Sequence, residues 1–145
     1  MRLDKLKAFT YVCKDEKREL CELRSGFEAI WDVIGGDDLP EGLDYFMFDS
    51  ALTCSSVAAC KWLELVTGNS ICPITYHGAI ARSAELGAEV VISGLELFRR
   101  RRLKADPDWQ RLGVEWSNRC TRAKTRALKM VEQHECEALC LVATG

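Results

Sequence analysis

Proline and glycine are scarce in this chain. Three prolines and ten glycines punctuate 145 residues, too few for the turn-rich alternation of a β-sandwich or barrel. No run of 18 apolar residues occurs, which excludes an ordinary membrane-spanning helix. The start, MRLDKLKAFTYVCKDEKREL, carries an acid at Asp4 and no continuous apolar stretch, so no secretory signal is expected. Without such a signal the eight cysteines are expected as reduced thiols, several of them core residues. There is no phosphate-cradling glycine loop. His134, Cys136 and Cys140 stand alone, without the second Cys/His cluster of a zinc site, so neither a metal nor another cofactor is expected. His77 has no Ser or Cys nucleophile beside it and is read as a partly exposed polar residue.

What is present is a core. Apolar residues make up 48% of the chain and include four tryptophans, and a domain of this length buries roughly two thirds of its unfolded surface. Charge is distributed unevenly. Residues 1–50 hold 7 basic and 12 acidic residues, whereas residues 98–131 hold 11 basic and 3 acidic, an asymmetry that can separate partners by their own charge.

The periodicity predicts an all-α fold of six or seven helices. A first, charged helix is expected to end at Ser25-Gly26, with a short turn of helix from Phe27 to Ile34 stopped by Gly35-Gly36. In LPEGLDYFMFDSAL, residues 39–52, Pro40 suits a first turn, and Leu43, Met47 and Leu52 form a stripe. Asp44 and Asp49 lie five apart, about 140° around a helix, so one buried face cannot take both. Further helices are expected over 57–66, from the Thr75 N-cap to Leu86, over 88–104, and from Asp106-Pro107 through Met130. The division expected is a charged helix over 1–26, a helical domain over 27–131 and a partly apolar tail over 132–145.

The order of these marks is similar to that in a known family. Trp31-Asp32, DDLPEGLDYFMFDSAL, AACKWLELVTG and Trp109-x2-Leu112-Gly113-x2-Trp116-x2-Arg119 resemble the C-terminal part of the family 108 glycoside hydrolases. These are phage and bacterial N-acetylmuramidases, and the likeness includes their predicted peptidoglycan-binding segment. The resemblance covers about residues 27–131 and implies a lysozyme-like helical fold, a phage or prophage origin and a relation to cell-wall glycan. It also has gaps. The family's catalytic glutamate sits in an early Glu-Gly-Gly-Tyr motif, and no Glu-Gly-Gly occurs here. Where the family tends to Asn-Ser-Gly, this chain has Thr53-Cys54-Ser55.

Glycoside hydrolysis ordinarily needs a protonated carboxyl beside the leaving oxygen and a second carboxylate across the sugar. Glu19 is the candidate catalytic acid, although its run of mixed charge also fits a solvated helix face. Tyr45, Asp49, Trp62 and Tyr76 are candidates for a glycan groove; alternatively, Asp44 and Asp49 mark the wet edge of a core helix. Arg99, Arg100, Arg101, Arg102, Arg119, Arg122 and Arg126 form a candidate partner-binding basic patch, for an acidic protein surface, cell-wall polyanions or nucleic acid, or else a solvated surface.

The resemblance implies a noncatalytic muramidase-like phage or prophage protein, contacting the cell wall or built into a virion or tail. Its partners would be peptidoglycan or phage structural proteins, and its location the bacterial host cytoplasm or the phage particle. The alternatives are an active N-acetylmuramidase cleaving peptidoglycan and a basic-helix module for nucleic acid or protein.

Overall fold

The computed structural model describes residues 20–68 and 74–143. Among them lie six α-helices, one 3-10 turn and no strand: α1 (Leu20–Val33), the turn Gly36–Asp38, α2 (Leu43–Thr53), α3 (Ser56–Thr67), α4 (Tyr76–Leu86), α5 (Ala88–Lys104) and α6 (Trp109–Ala143). The fold is all-α.

The helix α2 is the centre of the packing, touching α1, the 3-10 turn, α3, α5 and α6. A helix apolar on every side belongs inside a domain, and every residue from Leu43 to Ala51 is buried, Asp44 and Asp49 included. The wet edge expected for these acids is therefore absent. One face cannot bury residues 140° apart, but neighbours on all sides can. Asp44 sits in the first turn, where the positive end of the helix dipole favours an anion, and its Oδ1 accepts from the Tyr45 amide at 2.6 Å.

Local chemistry sets most helix ends. Ser55 caps α3 by accepting from Ala58 N at 3.1 Å, and Thr75 caps α4 by accepting from Gly78 N at 3.1 Å, each satisfying a first-turn amide with no partner inside the helix. Gly35, at φ +64°, ends the first helix in the left-handed conformation. Gly42, at φ +82°, begins α2 where a Cβ would stand 2.5 Å from the Ala127 carbonyl oxygen and 2.6 Å from a Val131 methyl. The absent side chain lets α2 abut α6.

Two boundaries differ from the sequence expectation. The first helix runs through Ser25-Gly26 without a break. A mid-helix glycine costs about 1 kcal/mol relative to alanine, and beyond it Phe27 and Trp31 bury against Phe48, with ring centroids 5.6 and 5.9 Å away. The last helix continues through Met130 to Ala143, about 52 Å at 1.5 Å per residue. Its buried positions end at Val131, and residues 132–143 are exposed. The Pro73 loop expected between α3 and α4 lies outside the described residues.

Candidate functional site

The site is built around Asp49, on the side of α2 between α5 and α6. Its Oδ2 meets Arg99 Nη2 at 2.7 Å, an ion-pair distance whose approach is off the line of a hydrogen bond. Its Oδ1 accepts from Arg119 Nη2 at 3.1 Å. Asp49 is 3% exposed and Arg99 0%, so this carboxylate lies inside the domain with both oxygens engaged by guanidinium groups. Arg99 also donates to Ser50 Oγ at 3.3 Å and Thr53 Oγ1 at 3.0 Å, and its guanidinium stands 5.6 Å from the Phe46 ring centroid. Thr53 Oγ1 in turn donates to the Asp49 carbonyl at 2.6 Å. Buried charges persist where they are paired and hydrogen-bonded.

A cavity of about 540 Å³ opens beside this pair. Tyr45 and Asp49 line it from α2, and Glu115, Trp116 and three arginines line it from α6. Helical spacing explains the grouping. Steps of four, three and four place Glu115, Arg119, Arg122 and Arg126 on one face of α6. Arg126 lies over the Tyr45 ring at 5.3 Å, a cation–π distance. Burial pushes the Tyr45 phenol up, as does the Asp49 charge, while Arg126 and Arg119 pull it the other way. Among the described residues Arg122 makes no ion pair or hydrogen bond. The four guanidiniums at and beside the cavity face two carboxylates, Asp49 and Glu115, which leaves two positive charges in excess.

The other candidates are dispersed. Trp62 is 8% exposed within the core and does not line the cavity. Tyr76 also stands apart from it, donating to the Ile34 carbonyl at 2.5 Å, and burial raises its phenol well above the ordinary range. Glu19 lies outside the described residues. The run Arg99 to Arg102 divides by helical phase. Arg99 is inside rather than on a surface patch, because position 99 faces α2 and its charge is met by Asp49. Arg100 bridges α5 to α6 through Glu96, Ser117 and Thr121, with Lys124 joining at Glu96, 2.5 Å away. Arg101 and Arg102 are exposed, Arg101 lying 6.0 Å from the Phe98 ring centroid. Of the seven basic candidates, Arg119, Arg122 and Arg126 share the cavity.

Three lining residues, Glu115, Trp116 and Ala123, were not among the expected site residues. Trp116 belongs to the Trp109-to-Arg119 motif, and its step of seven to Ala123 was the available signal. Glu115 could have been found from its spacing of four to Arg119. No cluster of His, Cys, Asp or Glu with metal-holding geometry occurs among the described residues. None of their helices is long and apolar enough to cross a membrane.

No family model matches the chain, and no curated protein matches it. The structure of Brucella abortus SagA superposes with a TM-score of 0.72 at 24% identity, covering 90% of this chain and 78% of that one. At that identity the likeness establishes a shared fold.

Proposed function

We propose that this chain is a noncatalytic muramidase-like protein of phage or prophage origin that contacts bacterial cell-wall glycan. One observation carries the reading: in the open cavity, the buried carboxylate is engaged on both oxygens by Arg99 and Arg119. A glycosidase needs one carboxyl able to give up a proton and a second placed across the sugar. Asp49 instead anchors α2 to α5 and α6, leaving Glu115 as the other carboxylate on the cavity wall. The likeness of LPEGLDYFMFDSAL and the Trp109-to-Arg119 motif to the muramidases supports the relation to cell wall. The engaged Asp49 supports the noncatalytic reading.

Purified peptidoglycan tests this directly. The chain should sediment with sacculi and leave a suspension of them turbid. Clearing that is abolished by Glu19→Gln would establish the active muramidase instead. A virion role adds a further expectation, that the chain co-purifies with phage particles banded by density.

A further inference from the structure

We propose that the cavity between α2 and α6 binds an anionic saccharide unit, its acid group held by Arg122 and Arg126 and its ring set against Trp116. The inference rests on the cell-wall reading and specifies which part of the wall is recognised.

Charge selects the ligand class. Arg99 and Arg119 both engage Asp49, so four guanidiniums meet two carboxylates, Asp49 and Glu115, and the positive excess falls on Arg122 and Arg126 at the cavity. A neutral sugar would leave that excess uncompensated, whereas a carboxylate or phosphodiester meets guanidinium groups in the bidentate geometry they favour. Position supports the same class. Arg122 and Arg126 are four apart on α6, so their heads emerge on one face about a turn apart. Arg126 is steadied by the Tyr45 ring, which lowers the entropy lost when it grips an anion. Arg122 makes no ion pair or hydrogen bond among the described residues, so its donors need not be released first. A volume of about 540 Å³ falls within the range of small-molecule sites and fits one or two sugar rings better than the extended phosphate track of a nucleic acid duplex.

The shared chemistry, an acid group on a sugar polymer, has two sources in a cell wall: carboxylates of peptidoglycan and phosphodiesters of attached polymers. Co-sedimentation would be measured for the wild-type chain, Arg122→Gln and Arg122→Gln/Arg126→Gln. The substrates would be untreated sacculi, sacculi with amidated carboxyls and sacculi stripped of phosphopolymers by hydrofluoric acid. Oligogalacturonate titration and retention on duplex DNA would run beside them. Both arginines are exposed, and an unchanged helical circular dichroism spectrum confirms folding; Arg122→Gln alone carries the test if the double variant unfolds.

The expected result is roughly tenfold weaker binding for each arginine removed, the scale of one charge-assisted hydrogen bond. Loss on amidated sacculi assigns the carboxylate source, and loss on stripped sacculi the phosphodiester source. Wild-type and variant chains sedimenting equally with sacculi would overturn the inference and leave the cell-wall reading standing. Arginine-dependent binding of oligogalacturonate without binding of any sacculi would uphold the anionic-sugar site and remove the cell-wall reading. Arginine-dependent retention on DNA tighter than on either glycan would overturn the inference.

Discussion

Replacing Arg99 by methionine tests the heart of the site. Methionine keeps an unbranched apolar stem over Phe46 while removing the charge that meets Asp49 at 2.7 Å and the bonds to Ser50 and Thr53. Breaking a buried ion pair from one side costs about 3–5 kcal/mol, because the remaining charge is left under-compensated. Arg119 still holds Asp49 Oδ1 at 3.1 Å, so the lower end, about 3 kcal/mol, is expected. For a chain of this size that corresponds to a Tm lower by roughly 10 °C. Thermal melts followed by circular dichroism measure it. The double variant Arg99→Met/Asp49→Asn should be more stable than the sum of the single losses implies, with a coupling of about 2 kcal/mol. Arg99→Met within about 1 kcal/mol of wild type, or strict additivity in the double variant, would refute the assignment of Asp49 as a structural anchor.

Other consequences follow from particular contacts. Gly42→Ala forces a side chain into φ +82° against the Ala127 carbonyl and should cost about 2–5 kcal/mol, from the strain of positive φ and from overpacking; the midpoint of urea unfolding reports it. Burial pushes the Glu96 carboxyl up, but hydrogen bonds from Lys124 and Arg100, with their charges, bring it below the ordinary range. A carboxyl lowered on folding contributes stability above its unfolded value, about 4.3, and loses it as pH falls through the folded one. Wild type should therefore lose stability more steeply than Glu96→Gln from about pH 5 downward, and equal slopes in urea titrations would contradict the bridge. Burial raises the Cys120 thiol, which is 0% exposed, so its alkylation should keep pace with global unfolding while exposed Cys136 reacts at once. Mass-spectrometric mapping of the labelled peptides separates the two.

The sequence announces what depends on nearest neighbours. Ser55, Thr75 and Gly87 mark helix ends because caps act within one turn, and the bounds of α4 and α5 follow. Gly26 misled because its local cost of about 1 kcal/mol is small beside the burial of Trp31, which depends on a distant Phe48. The fate of Asp49 was hidden for the same reason. Its partners stand 50 and 70 residues away, and alternation along α2 does not show that helices cover it on every side. Arg99 looked like its three neighbours in a basic run, and only the phase of α5 against α2 singles it out. The trio Arg119, Arg122 and Arg126 steps by three and four along one face of α6, but with Lys124 and Lys129 on other faces the charge reads as spread around much of the helix.

A noncatalytic wall-binding chain, as proposed, holds cell-wall glycan without cutting it. Purified sacculi incubated with the full chain, with free protein and new reducing ends quantified in the same tube, test both halves together. Protein should be depleted from the supernatant, with reducing ends no higher than in the protein-free control. A time-dependent rise in reducing ends, or a supernatant that keeps all its protein, would contradict the proposal.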